Sequence, residues 1–236
     1  MISTRSLAVL GVLLVVGLAI FGYQVGRAVK LGREFDRYFT VRGLSEREVK
    51  ATLVIWPMRY GATGETLSEL QTSMASANGI VSAFLKDCGI QDSEISHGLP
   101  EIRDTLSARR RDDAVTLPRY QAVITLVVRS RNVDLVKIAI QKSESLLAKG
   151  LPLLNEDYGN RIQFSFDDVN AIKPEMIQEA TANARQAALK FAEDSKAKVG
   201  AIRKAMQGVV DIQDRDIASP ELKVVRVITT VEFFIE

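Results

Sequence analysis

The chain has 236 residues, a formal net charge of +2, 47% hydrophobic residues and 25% charged residues. This composition is typical of a globular protein, and so small a net charge does not predict the basic surface that nucleic-acid binding needs. One cysteine, Cys88, excludes an intramolecular disulfide. With one histidine, His97, the chain cannot supply the four Cys and His ligands of a structural zinc site.

The first hydrophobic segment, Leu7 to Val25, reads LAVLGVLLVVGLAIFGYQV and carries no charge. About 20 apolar residues cross the hydrocarbon core of a bilayer as a helix. A secretory signal peptide has a shorter apolar run and a small-x-small cleavage site, and no Ala-x-Ala triplet closes this run. We predict a flank over residues 1–6, a transmembrane signal anchor over 7–25 with the lipid bilayer as partner, and a charged neck over 26–37. A cleaved signal peptide and a buried helix are the alternatives.

The flanking charges bear on the orientation of this anchor. Arg5 precedes it, whereas Arg27, Lys30 and Arg33 follow it, so the positive-inside bias weakly favours a cytoplasmic domain. Long domains can translocate regardless of local charge, which leaves the orientation open.

Residues 38–236 are predicted to form one domain, which begins with a strand from Tyr38 to Gly43. A second strand runs from Lys50 to Ala62, where Pro57 indicates a sheet edge or a bulge. A helix follows, capped by Thr66 or Ser68 and stopped by Gly89. Its apolar residues recur at three- and four-residue steps: Leu67, Leu70, Met74, Ala77, Val81, Phe84 and Cys88.

The middle of the domain alternates strands with a helix. A strand with flanking loops is predicted over Ile90 to Leu106, an exposed hairpin loop over Ser107 to Pro118, and a strand over Arg119 to Arg129. The next helix is capped by Asn132 and ended by Gly150. We expect Val136, Ile140 and Leu147 on its buried face.

The last third contains three strands and a long helix. Arg161 to Asp167 alternates as a strand, reached by a hairpin through Asp157 to Asn160, with Ile162, Phe164 and Phe166 inward. The helix has Pro174 in its first turn and ends at Gly200, and its buried stripe comprises Met176, Ala180, Ala184, Ala187 and Phe191. Strands over Ala201 to Asp214 and Leu222 to Ile235 follow, joined by a turn at Ser219-Pro220. Strand pairs that alternate with three helices predict an α+β fold with a mainly antiparallel sheet.

No residue set in this domain predicts an active site. Phosphate-binding and dinucleotide-binding glycine motifs are absent, and Gly61 and Gly64 are typical of a turn into a helix. Nothing in the spacing of Cys88 and His97 requires them to meet, and a free cysteine is usually a small buried hydrophobe. The acidic pairs Asp112-Asp113, Glu156-Asp157 and Asp167-Asp168 are typical of solvated turns rather than of a calcium site. The run Arg109-Arg110-Arg111 is typical of an exposed loop. Trp56 with Tyr60, Phe164 and Phe166 is typical of the core or of an interface edge. We therefore predict no catalytic, cofactor-binding or metal-binding residue, no cofactor and no enzymatic activity.

Four short motifs in the soluble part are similar to those of a known family. They are Thr40-Val41-Arg42-Gly43 with Ser45-Glu46; the strand Ala51 to Trp56 before a helix with Asn78 and Gly89-Ile90; Tyr120-Gln121-Ala122 leading to Val127; and the alanine-rich helix Ala180 to Lys190 running into Val199-Gly200. Over Phe39 to Glu236 the chain resembles the SIMPL-domain (DUF541) family of bacterial envelope proteins. It departs from the family's opening pattern at Leu44, where a small residue is frequent.

The resemblance implies an exported domain without agreed catalytic residues. Family members lie in the periplasm or at the cell surface, some build large homo-oligomers, and the family is linked to oxidative stress tolerance. We therefore expect a single-pass protein of the bacterial inner membrane with a periplasmic domain, against the charge bias. Its copies would associate through exposed strand edges or the outer helix faces into a ring or cage. The alternative is a ligand- or partner-binding module that uses the loop Arg109 to Asp113 or a cleft near Trp56.

Overall fold

The computed structural model describes residues 13–27, 37–107, 118–154 and 161–235. After the N-terminal helix α1 (residues 13–27), the elements in chain order are β1 (Tyr38–Lys50), β2 (Leu53–Gly64), α2 (Leu67–Asp87), β3 (Ile95–His97), β4 (Glu101–Asp104), β5 (Tyr120–Ser130), α3 (Val133–Lys142), α4 (Glu144–Ala148), β6 (Gln163–Ser165), α5 (Val169–Asp194), β7 (Val199–Asp214) and β8 (Leu222–Ile235). The fold is α+β with antiparallel sheets, as predicted.

The side chains of α1 are exposed along its whole described length. The start of the predicted anchor, residues 7–12, and most of the predicted neck, residues 28–36, lie outside the described residues. Within the described ranges no helix combines the length and the apolar character needed to cross a bilayer.

The chain divides into two compact units. The first unit comprises Met1–Glu46, Ile172–Asp211 and Arg226–Glu236, and the second comprises Arg47–Ala171 and Ile212–Val225.

The second unit is built on a five-stranded sheet. Its order is β3-β5-β2-β6, with β4 also pairing with β5, and the central pair runs antiparallel from Val54 opposite Ser130 to Gly64 opposite Tyr120. Strand β6 pairs only with residues 53–55 of β2, so Pro57 has no strand partner on that side among the described strands. The lack of an N–H group on Pro57 therefore removes no ladder hydrogen bond there. The largest fully buried side chains of this core are Tyr60, Met58, Leu70, Leu85, Leu126 and Leu146.

Helix α2 begins and ends where the sequence predicts. Thr66 is the N-cap, and its hydroxyl accepts a hydrogen bond from Glu69 N at 3.2 Å. Gly89 has φ +86°, Gly89 N donates to Lys86 O, and Ile90 N donates to Leu85 O, which is the Schellman arrangement of a helix end.

Inside the unit, Tyr60 donates its hydroxyl to Asn78 Oδ1 at 2.8 Å, and burial raises the pKa of Tyr60 to about 12.

The second predicted helix is divided into α3 and α4. Asn132 caps it as predicted, through Leu135 N at 3.2 Å. At Ser143 both the backbone N–H and the hydroxyl donate to Ile140 O, so the turn tightens to three residues and the helix breaks. The break rotates the following residues, and Leu146 is fully buried where Leu147 was expected. Gly150, with φ +77°, ends α4 as predicted.

Strand ends of the second unit are tied to α3 by ion pairs. Lys50 Nζ lies 2.6 Å from Asp134 Oδ2, and Lys137 donates to Glu221. The hydrogen bond from Lys137 lowers the pKa of the Glu221 carboxyl. Both pairs join a helix to the strand segments beside it within one compact unit.

Two predicted strands are shorter in the structure. The strand predicted over Ile90 to Leu106 is interrupted between β3 and β4, where Gly98 N donates to Thr125 O at 2.8 Å. Strand β6 keeps three residues, and Ile162, Phe164 and Phe166 are half-buried. Most of the loop predicted over Ser107 to Pro118 and the turn predicted over Asp157 to Asn160 lie outside the described residues.

The first unit packs helix α5 against strand β1. Strand β1 does not end at Gly43 but continues to Lys50, with Val41, Gly43 and Ser45 buried on one face. Ser45 donates its hydroxyl to Glu179 Oε2 at 2.9 Å. A Cβ atom on Gly43 would lie 1.8 Å from Ala180 O, so the glycine lets the backbones of strand and helix approach closely.

Helix α5 differs from its prediction at both ends and along its buried face. It begins at Val169, so Pro174 lies inside the helix rather than in its first turn. It ends at Asp194, where Lys196 takes φ +53° and Ala197 N donates to Ala192 O; Gly200 lies in β7. The buried residues repeat strictly every four positions, as Met176, Ala180, Ala184, Ala188 and Ala192, so the predicted Ala187 and Phe191 are exposed.

Candidate functional site

Strand β7 forms one edge of a three-stranded sheet. The order is β1-β8-β7, so among the described strands β7 pairs with β8 alone. Residues 201–207 of β7 are all exposed, whereas buried positions alternate with partly or fully exposed ones along most of its neighbour β8. We call the outward backbone and side chains of residues 201–211 the β7 edge. An edge of this kind carries unpaired N–H and C=O groups that can pair with a further strand.

The centre of the β7 edge is apolar. Val209 is 86% exposed, and Ile202 and Met206 are about half exposed. Residues 205–210, Ala-Met-Gln-Gly-Val-Val, contain neither a charge nor a proline. The edge strands of protein sheets are usually protected from pairing with another chain by charged side chains, by proline or by their short length. The 16-residue strand β7 has no charge and no proline at its centre.

The first half of the β7 edge is held by contacts across its own sheet. Arg203 Nη1 lies 3.0 Å from Glu232 Oε2, and the Arg203 guanidinium carbon lies 3.9 Å from the centre of the Tyr38 ring. These contacts place the Arg203 side chain on the same sheet face as Glu232 and Tyr38. These contacts connect β7 to its own sheet, while its outer side is exposed.

Gly208 allows the second half of the edge to lie close to β8. A Cβ atom on Gly208 would lie 2.0 Å from Ile228 O, so the glycine permits close approach of the two backbones. Asp211 adds to the field around Arg226, whose pKa is raised chiefly by its hydrogen bond to Glu46. Arg226 Nε lies 2.6 Å from Glu46 Oε2.

A separate cleft lies in the second unit. It has a volume of about 630 Å³ and lies along the first half of α2 beside Gly61 and Thr63. Four hydroxyl-bearing residues of α2 are among those that line it: Ser68, Thr72, Ser73 and Ser76. Two of its polar groups are used by the helix itself, because the Thr72 hydroxyl donates to Ser68 O and Glu69 Oε2 accepts from Glu65 N.

Cys88 and His97 have the surroundings of structural residues. Cys88 is the C-cap of α2 and is half-buried, and desolvation raises the pKa of its thiol. A nucleophilic cysteine needs a lowered pKa. His97 is exposed on β3 opposite Leu126. The described residues contain no group of three or more His, Cys, Asp or Glu side chains that could hold a metal ion.

The other predicted candidates fall in three places. Trp56 is 3% exposed, so its indole belongs to the core, which is one of the two places predicted for it, and a cleft near it stays a prediction. Asp167 and Asp168 are exposed, and Asp167 N donates to Thr52 Oγ1 at 2.9 Å. The remaining candidates lie outside the described residues: Arg109 to Asp113, and Glu156-Asp157.

Comparison with known families matches residues 39–226 to the family described as SIMPL, Protein of unknown function (DUF541). The chain belongs to the SIMPL family. This confirms the resemblance carried by the four motifs, and the family description attaches no activity to the SIMPL domain. A search of curated proteins finds no match.

The motifs of this SIMPL domain lie at packing positions. Gly43 of the opening motif contacts α5, Ala122 of the third motif is buried opposite Ala62, and Ala180 and Ala184 of the fourth motif are fully buried. They specify a fold and identify no reactive group. The β7 edge carries none of the motifs, since Val199-Gly200 lie at the start of β7 before the edge begins. The strand was predicted, whereas the exposure of its edge was not.

Proposed function

We propose that this SIMPL protein is a non-enzymatic, membrane-tethered protein of the bacterial envelope that self-associates into a homo-oligomer of ring or cage type, in which the β7 edge forms one of the contacts between copies. The observation that carries the proposal is the long edge strand whose centre is apolar, exposed and uncharged. Exposed apolar patches of this kind mark interaction sites in soluble domains.

The tether is supported by the sequence of residues 7–25 and by the exposure of the described helix α1. The segment is uncharged and close to the length of a bilayer-spanning helix. Apolar side chains of α1 such as Leu13, Leu18 and Phe21 are more than half exposed. A bilayer would remove this apolar surface from water. Tethering also confines the domains to one surface, which raises their effective concentration for association.

Substituting Val209 with lysine is expected to at least halve the mass of the full-length oligomer in detergent. Val209 is 86% exposed, so the change costs the folded monomer little, whereas a charge buried at a strand interface is strongly unfavourable. Sedimentation velocity, corrected for bound detergent, measures the change.

The matched control is Ile217→Lys. Ile217 is fully exposed in the turn that follows β7, so this variant adds the same charge at an exposed aliphatic position away from the edge. It should keep the mass of the native protein. A native protein that is monomeric at micromolar concentration, or equal losses in both variants, would contradict the proposal.

Deleting residues 7–25 is expected to move the protein from the membrane pellet to the soluble fraction after alkaline carbonate extraction. In the native protein, protease added to spheroplasts should degrade the domain because it faces the periplasm. Protection from protease would overturn the orientation alone, whereas carbonate release of the native protein would overturn the tether.

Ligand binding at the hydroxyl-lined cleft is the second candidate function. Its volume is within the range of small-molecule sites, roughly 300–1,000 Å³. Such sites present a few polar groups that converge on the ligand, whereas Thr72 and Glu69 are engaged within their own helix and its cap. The β7 edge therefore supports the stronger proposal.

A further inference from the structure

We propose that the partner of the β7 edge is the same strand of a second copy, added antiparallel across a two-fold axis at Gln207. The inference rests on the proposed self-association and specifies its geometry. Two three-stranded sheets would then join into one continuous six-stranded sheet, with β7 beside β7 at its centre.

The charge distribution of β7 favours antiparallel addition. Arg203 and Lys204 lie in the first half of the edge, and Asp211 lies at its far end. In a parallel, in-register pair, each arginine and lysine would face its own copy, and like charges opposite one another are destabilising. In an antiparallel pair the basic half of one strand lies beside the acidic end of the other.

Alternation of the backbone limits the register. Successive residues of a strand direct their N–H and C=O groups to opposite edges, so in a two-fold antiparallel pair each residue must face a residue of the same parity. The axis must therefore pass through a residue, not between two. An axis at Gln207 sets Arg203 opposite Asp211, whereas a shift by one residue in either direction sets Arg203 opposite Val209 or Gln213.

The same register matches the apolar centre. Ala205 of one copy lies opposite Val209 of the other, and the small alanine leaves room for the exposed valine. Met206 lies opposite Gly208, which presents no competing side chain. Gln207 lies opposite its own copy, where two amides can exchange hydrogen bonds. Because the contact is isologous it closes at two chains, and a larger ring or cage needs a second contact surface.

Cysteine cross-linking of the full-length protein in detergent tests this register. The background is Cys88→Ser, which removes the native thiol, with Gln207→Cys, Ala205→Cys or Val209→Cys added singly. Antiparallel pairing at Gln207 predicts that, of the three single variants, only Gln207→Cys forms an intermolecular disulfide. Each of the other two single variants would place its thiols four residues apart along the strands, about 14 Å, which exceeds the reach of a disulfide.

Mixing the Ala205→Cys and Val209→Cys proteins supplies the decisive sample. After exchange of subunits and mild oxidation, the mixture should form a disulfide-linked dimer of one chain of each kind, which mass spectrometry of the linked peptides identifies. Neither protein should yield that product when it is oxidised by itself.

Each other outcome overturns something definite. Disulfides in Ala205→Cys alone and in Val209→Cys alone would show parallel pairing and overturn the inference. An oligomer of native mass without the Gln207→Cys disulfide would also overturn it, while the proposed self-association stands. A monomeric native protein would remove both.

Discussion

Replacing Gly43 with alanine is expected to lower the free energy of unfolding by about 3 kcal/mol or more. The added Cβ would lie 1.8 Å from Ala180 O and 2.6 Å from Ala184 N, and both atoms belong to the helix backbone. No side chain can rotate to make room, so α5 must move away from β1. That movement opens gaps around the fully buried Ala184 and Ala188. Urea denaturation followed by circular dichroism measures the loss.

Gly79→Ala is the matched control for this substitution. Gly79 lies inside α2 and is exposed, and a Cβ added there has no heavy atom within 4 Å. Because glycine in a helix interior is about 1 kcal/mol less favourable than alanine, this variant should be more stable than the native protein. The same chemical change is therefore expected to have opposite signs at the two positions. A Gly43→Ala protein as stable as the native one would contradict the close contact of β1 with α5.

The path of β1 shows why a local pattern can mislead. Gly43 and the polar residues after it are typical of a turn, and the predicted strand stopped there. In the structure Gly43 and Ser45 face the helix, and Ser45 finds its hydrogen-bond partner in Glu179. Glu179 is 134 positions away in the sequence, so the contact that keeps this stretch in a strand is invisible to any local pattern.

Helix α5 shows the same limit in its periodicity. Alanines occur so densely in this helix that several stripes fit a three- and four-residue spacing. The structure selects the strict four-residue stripe of Ala180, Ala184, Ala188 and Ala192. The choice is made by the neighbouring strand, since Gly43 admits the backbone of Ala180 and Ala184. A pattern can therefore identify a helix with more certainty than it identifies the face that is buried.

The candidate site could be predicted as an element but not as a surface. The strand over Ala201 to Asp214 was predicted to within two residues of β7. Its place at the edge depends on the sheet order β1-β8-β7, which brings the first and last strands of the domain together. A strand with Ile202, Met206 and Val209 has the same local pattern whether its neighbours cover both sides or one.

Truncating Leu146 to alanine is expected to cost about 2–5 kcal/mol, whereas the same change at the adjacent Leu147 should cost less than about 0.5 kcal/mol. Leu146 is fully buried in the core of the second unit, and Leu147 is 66% exposed. The periodicity of an unbroken helix predicts the opposite order, with Leu147 inward. The difference depends on the break at Ser143, where hydrogen bonds to Ile140 O tighten the turn and rotate α4. Urea denaturation of the two variants under the same conditions measures the free energy of unfolding of each. A larger loss of unfolding free energy for Leu147→Ala than for Leu146→Ala would contradict the break and support one continuous helix between Asn132 and Gly150.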